Sequence, residues 1–427
     1  MLCNYACRTD DHPIARRQFL GGLAAGLGAA GGLGVLTRPA AAAQLAKQQK
    51  RVICIYLNGG SSQLETWDPK PKTDTGGPFR AIPTSVPGLH ITELLPKTAR
   101  VMHNLALIRS INTNENDHGL GQYLMLHGRR QTPASEYPEL GAVAARALAP
   151  EDSGLPGHVK IYPGGTGGRS ADSAYLGPKY SSVILGGGPP DNSRRPAGLS
   201  DAADVQRQQL RRSIDARFAQ RRRTAMTDAY TQNYEQALDL MNRRDVFDVT
   251  KEPASQLERY GKHDFGRHCL LARRLIEHGV TYVQVMHTNY DTHNENFNFH
   301  LEQVGEFDGP FATLVNDLVE RGLWSDTLLV VLSEFGRTPA INVYYGRDHW
   351  AAAWSICLGG AKIQRGAVYG KTNVNGTAVV DKQVDHGNLF HTYLAAVGLD
   401  SAGSFDVAGR DLPMADPASK PIEELLS

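Results

Sequence analysis

The chain has 427 residues, 41% of them hydrophobic and 21% charged, and its 45 Lys and Arg against 44 Asp and Glu give a formal net charge of +1. A balance so close to zero excludes a partner held by bulk electrostatics, and no nucleic-acid-binding motif is present. The cysteines (Cys3, Cys7, Cys54, Cys269 and Cys357) are odd in number and scattered, which excludes a disulfide framework; the last three lie in apolar runs, as small buried hydrophobes do.

The N-terminus reads as an export signal. Arg16-Arg17-Gln18-Phe19-Leu20 precedes a Gly/Ala/Leu-rich stretch reaching Val35, then Arg38-Pro39 and the alanine run Ala40 to Ala43. Paired arginines, a weakly apolar segment and an A-x-A site fit a twin-arginine leader over residues 1–43, cleaved after Ala43. A membrane anchor is the alternative, but the stretch is Gly-rich and short for a span of about 20 residues. No second transmembrane segment is expected. The mature chain, 44–427, is then expected as a single domain in the periplasm or outside the cell.

In chain order, VICIYL from Val52 is a buried strand that breaks into Asn58-Gly59-Gly60-Ser61-Ser62. Thr92 to Leu105 reads as a helix, and LALIRSI from Leu105 is a strand running into Asn116-Asp117-His118. Helices follow over Leu120 to Leu126 and Glu139 to Leu148. Residues 154–250 read as an insertion covering one side of the site. It is loop-rich first, with short strands in HVKIYP and SSVIL, and then helical from Leu199 to Arg244. Its arginine groups suit an anionic polymer or, more simply, the solvated face of long helices. The helix Phe265 to His278, stopped by Gly279, leads to strand TYVQVMH and then to Asp291-Thr292-His293. The helix His300 to Glu320 leads to strand LLVVLS and Glu334-Phe335-Gly336-Arg337. Gly346-Arg347-Asp348-His349-Trp350, a strand over Trp354 to Leu358 and a helix over Leu389 to Val397 complete the chain. This alternation predicts an α/β fold with a mainly parallel sheet and helices on both faces.

Four of these strands end in loops rich in Asn, Asp, Glu and His. Open α/β sheets build their sites at strand C-terminal ends, and this ligand chemistry points to a metal centre, hence a metallohydrolase. Asp291 and His293 leave one strand end together, as a ligand pair or as a satisfied polar turn. Glu334 ends a very apolar strand, where a carboxylate needs a partner or an ion. Arg337 either grips an anionic oxygen or neutralises Glu334. Of Asp348 and His349, one is a ligand and the other supports it, unless the two form a structural pair. Asn58 offers an amide to a cation or an oxyanion. Ser61 and Ser62 are nucleophile or substrate-binding candidates, although no G-x-S-x-G elbow is present. His118, at a helix start, is a ligand, an acid/base, a nucleophile or merely a cap. Zn, Mn and Ca all suit these ligands, as one ion or two.

Together, the Gly-Gly-Ser turn with T-W-D-P-K-P, the I-R-S and N-D-H segments, L-A-R-R-L-I-E-H-G-V, D-T-H-N-E-N-F, S-E-F-G-R-T-P and G-R-D-H-W resemble the exported bacterial family called domain of unknown function 1501. The resemblance covers nearly all of the mature chain. It implies a fold of the alkaline phosphatase and sulfatase superfamily, with Asn58 at the first-strand position, Asp291 and His293 as the middle metal pair, Glu334 as the late-strand acid and His349 as the last His. It places His118 near the nucleophile position. The formylglycine motif of sulfatases is missing, and Gln63 stands where His is common. Two functions follow as expectations. The first is an exported metal-dependent hydrolase of sulfate or phosphate esters, with Arg337 and Arg347 on the anion and a sulfated glycan as one substrate class. The second is a non-catalytic protein on the same scaffold that binds anionic glycans in the cell envelope.

Overall fold

The computed structural model describes residues 49–427 except 134, 151–152, 191–192 and 223. The leader expected over residues 1–43 lies outside the described residues.

Nine strands form the main sheet: β1 (Arg51–Leu57), β2 (Leu105–Ile111), β3 (His158–Ile161), β4 (Thr166–Arg169), β5 (Val183–Leu185), β6 (Tyr282–His287), β7 (Thr327–Leu332), β8 (Trp354–Gly360) and β9 (Val368–Tyr369). Their spatial order is β9-β2-β8-β7-β1-β6-β3-β5-β4. β1 lies between β7 and β6 and runs parallel to both, and β6, β3 and β5 continue the parallel run. β8 is antiparallel to both neighbours, β7 and β2, so β2 points the same way as β7. The sheet is mainly parallel, as expected, with antiparallel exceptions at β8 and at the edge strand β4.

Helices cover both faces. They are α1 (Pro96–Val101), α2 (His118–His127), α3 (Leu140–Leu148), α4 (Asp201–Arg222), α5 (Ala225–Asn242), α6 (Ala254–Tyr260), α7 (Asp264–Glu277), α8 (Asn296–Glu320) and α9 (His386–Ala396). The strand period of two divides each central strand between two cores. Ile53, Ile55 and Leu57 pack with α7 and α8 residues such as Leu271 and Phe311. Val52, Cys54 and Tyr56 pack with α2, α3 and α9 residues such as Met125, Val143 and Tyr393. A strand buried on both faces must be apolar throughout, which is why these runs were legible. No helix among the described residues is long and apolar enough to cross a membrane.

Two expectations change. The helix expected from Thr92 shrinks to α1, because Pro96 disfavours a helical Leu95 and is itself acceptable only in the first turn. The segment expected as a covering insertion carries the short strands read in HVKIYP and SSVIL, but these join the main sheet and, with β4, extend it beyond β6. Its helices α4 and α5 pair with each other, through Arg211 and Arg212 to Glu235 among other contacts.

Candidate metal centre

The C-terminal ends of β1, β2, β6 and β7 lie along one edge of the sheet, and the antiparallel β8 begins at that same edge. Residues just before β8 are therefore delivered beside the loops that leave the parallel strands. The short ladder Gly336–Arg337 with His349–Trp350 closes this corner.

Asp291 is the hub. Its Oδ1 is 3.1 Å from His293 Nε2 and 3.3 Å from His349 Nε2, and its Oδ2 is 3.3 Å from His118 Nε2. The two imidazole Nε2 atoms of His293 and His349 approach to 2.9 Å. The other ring nitrogens all meet acceptors. His349 Nδ1 meets the Asn116 carbonyl at 2.6 Å, His293 Nδ1 meets Asp348 Oδ1 at 2.7 Å, and His118 Nδ1 meets Glu334 Oε1 at 2.7 Å. A carbonyl and carboxylates only accept, so each Nδ1 carries a proton and each ring directs its Nε2 at the Asp291 cluster. Imidazole Nε2 lone pairs and a carboxylate set this close together repel unless a proton or a cation lies among them. His118 Nε2 is buried and lacks a hydrogen bond of its own. Formally, the carboxylates of Asp291, Glu334 and Asp348 against the one guanidinium of Arg337 leave two negative charges, which suits a divalent ion. Imidazoles backed by carboxylates or a carbonyl are the usual support of metal-ligating histidines.

The acid at the hub is ionised. Burial opposes this, but the Arg337 hydrogen bond and charge, helped by His349 and His118, hold the Asp291 carboxyl down to about 2. The hydrogen bond to His293 lowers Asp348 against a small desolvation. The Glu334 hydrogen bond raises His118, whereas desolvation lowers His349.

The turn after β1 frames the cluster. Gly59 and Gly60 have φ of +116° and +83°, and a Cβ on Gly59 would meet the Asp291 backbone nitrogen at 2.4 Å. Gly59 N–H donates to Glu334 Oε1 at 2.8 Å, and the next two amides donate to Ser333 Oγ at 3.1 and 3.0 Å. The side chain of Asn58 enters none of the cluster's hydrogen bonds or ion pairs among the described residues; its backbone is tied to His287 and Tyr290.

Several expected roles are corrected by these positions. Arg337 is fully buried and faces inward: it donates to Asp291 at 2.5 Å and to the carbonyls of Gly59, Gly60 and Arg347. Arg347 is also buried, in a two-pronged pair with buried Glu65 at 3.0 and 2.8 Å, and it bonds the carbonyls of Thr75, Thr338 and Pro339. Neither has a guanidinium free to grip a substrate anion. Ser61 and Ser62 are buried, which removes them as accessible nucleophiles or substrate contacts. Glu334 and Asp348 bond the rear nitrogens of His118 and His293 instead of facing the hub. His118 aims its ring at Asp291, as a ligand does. Gln63, at the position where His is common, is buried and bonds the Arg337 backbone at both its amide and its carbonyl.

Sequence reasoning missed a second group of acids with a histidine, Glu139, His158 and Asp172. Its cation is already in place: Lys160 Nζ lies 2.7 Å from Glu139 and 2.8 Å from Asp172. The late histidine His391 is likewise structural, bonded to Ser401 and the Asp416 carbonyl.

Solved structures similar to the chain include a sulfatase, PsFucS1 from Pseudoalteromonas sp. (12% identity, TM-score 0.42, covering 91% of this chain and 75% of that one). Others are the phosphonate monoester hydrolase SpPMH from Silicibacter pomeroyi (12%, 0.39, 88% and 76%) and the lipoteichoic acid synthase LtaP from Listeria monocytogenes (6%, 0.38, 86% and 75%). No curated protein sequence matches the chain. Residues 49–426 match the family described as Protein of unknown function (DUF1501), and the chain belongs to that family.

Proposed function

We propose that this protein is a metal-dependent hydrolase of sulfate or phosphate esters, exported to the periplasm or beyond by its twin-arginine leader. The observation that carries the reading is the convergence of three imidazole Nε2 atoms on the ionised Asp291, open to solvent on one side. His118, Asp291 and His349 would hold a single divalent ion, with His293 beside Asp291 and His349, and Zn or Mn is favoured before the oxygen-preferring Ca because imidazoles dominate the set. When bound, such an ion supplies Lewis-acid polarisation of an ester oxygen and a more acidic water. The chain's own residues do the rest. Glu334, Asp348 and the Asn116 carbonyl hold the three imidazoles aligned. Arg337 fixes Asp291 from behind. The buried Ser61 and Ser62 leave water as the attacking group.

The second reading, a non-catalytic scaffold that binds anionic glycans, is favoured by one observation: both arginines expected on the anion are engaged within the protein. Elemental analysis of the folded protein beside Asp291→Ala/His293→Ala, followed by aryl sulfate and aryl phosphate turnover, separates the two. The hydrolase reading expects one equivalent of metal, lost in the double variant, and turnover that is lost with it. A metal-replete protein inert to both ester classes would leave the scaffold reading standing.

A further inference from the structure

Helix α4 is held from one side only, and its charges are sorted between its two sides. Asp204 and Gln208 are buried and Arg211, Asp215 and Ala219 half-buried, three or four residues apart, so they form one seam; every other described side chain of the helix is exposed. Along the seam Arg211 pairs with Asp215 at 2.7 Å and, together with Arg212, with Glu235 of α5. Leu210, Ile214 and Phe218 face water instead, 63%, 55% and 50% exposed, and their spacing of four puts them on one face. Arg207, Arg217 and Arg221 fall among them, all six within an arc of about 100° around the helix axis. Asp201, Asp204 and Asp215, the acids of this helix, all fall outside that arc. Arg207 reaches back to Asp204 at 3.0 Å, but Arg217 and Arg221 have no hydrogen bond or ion pair among the described residues. The net charge of +1 conceals this sorting: one helix face is apolar and purely cationic.

We propose that α4 docks the protein on an anionic membrane surface. The helix lies in the plane of the interface, with Leu210, Ile214 and Phe218 among the upper acyl chains and Arg207, Arg217 and Arg221 at the headgroup phosphates. Arginine suits this position because its stem runs along apolar surface while its guanidinium reaches up to the phosphate level. A helix of about 33 Å that is polar on its other faces lies on a bilayer and does not cross it, and no described helix is apolar enough to cross. Charge and apolarity together choose this occupant over two others. A second copy docked symmetrically presents the same arc, so arginines would meet arginines with no acid to answer them. A soluble polyanion would engage the arginines and leave the three apolar side chains without cover. A surface that is anionic above and apolar beneath satisfies both sets of residues. This docking concerns attachment and does not depend on the chemistry at the Asp291 cluster.

The test is flotation of the folded, leader-cleaved protein with vesicles of phosphatidylcholine alone or of phosphatidylcholine and phosphatidylglycerol in equal parts. Wild type is compared with Arg217→Gln/Arg221→Gln and Ile214→Ser/Phe218→Ser, with melting temperature and metal content measured on each. The wild type is expected to float with the mixed vesicles and not with phosphatidylcholine alone. Partitioning is expected to fall roughly thirtyfold in the glutamine variant and about tenfold in the serine variant. Melting temperature and metal content are expected to stay equal, because all four side chains are exposed. A wild type that floats with neither vesicle overturns the docking. So does a serine variant that floats as well as wild type, which would make the arc a purely electrostatic site for a polyanion such as dextran sulfate. A wild-type dimer in sedimentation that Ile214→Ser/Phe218→Ser makes monomeric gives the arc to a second copy and overturns the docking as well. If the serine double variant loses its thermal transition, Leu210→Gln alone replaces it.

Discussion

The chemistry of single side chains depends on which way each one faces. Glu334 and Arg347 show this most plainly. Both are charged groups in loops; the apolar strand before Glu334 and the family resemblance assigned it to a metal, and the hydrolase reading put Arg347 on the substrate anion. Glu334 bonds the rear nitrogen of His118, and Arg347 is locked to Glu65 out of solvent. The two predict opposite phenotypes. Glu334→Gln, or Asp348→Asn, is expected to lower metal affinity by about 10–100-fold with little loss of stability, as measured by chelator competition and thermal melting. Arg347→Met leaves the Glu65 charge buried and unpaired and is expected to cost about 3–5 kcal/mol of stability, visible as a large fall in melting temperature. If Glu334→Gln left affinity unchanged, the Nδ1 partners would not be what aligns the ligands.

Elements carry these side chains to one place. α2 begins at His118 because Asp117 caps it, its Oδ1 accepting from Leu120 N–H at 2.9 Å. That cap fixes where the first helical side chain points, so Asp117→Ala is expected to cost about 1 kcal/mol and also to weaken metal binding. Loss of stability alone, at unchanged affinity, would show that His118 is positioned by Glu334 without help from the helix start. The start of α8 was read four residues late. Its N-cap, Glu295, lies in the left-handed region and makes no side-chain cap bond, so the usual start signal is missing. β8 was correctly expected as a strand, but its direction was not legible. Only pairing with β2 and β7 shows that it enters from the site edge and so brings His349 to Asp291.

The described residues form a sheet sealed by two cores, with histidines inside it. Desolvation depresses His158 and His287 to about 3 and His268 to about 4, from an ordinary value of 6.5. All three are neutral in the folded protein well below the pH at which the unfolded chain protonates them. Stability is therefore fully present above about pH 6.5 and falls as pH drops towards 4, by roughly 1.4 kcal/mol per pH unit for each such group. Denaturant midpoints measured from pH 8 to pH 4 are expected to fall, and His158→Gln is expected to flatten the curve. A midpoint independent of pH over that range would mean that these rings protonate without unfolding.

The sequence by itself determined the layered α/β architecture. A strand buried on both faces must be apolar from end to end, and the runs at Val52, Leu105, Thr281 and Leu328 have no other stable use. It also marked Asp291, His293 and His118 as site candidates, because polar residues cluster where those runs stop, and His349 through its loop segment and the family resemblance. The tertiary structure decided which atoms meet. Direction and register turned His349 towards Asp291, and burial drew Arg337, Arg347 and both serines into the protein. The physical reason is that periodicity along a chain reports whether a residue is buried, whereas the facing of a side chain in a loop is set by partners tens to hundreds of residues away.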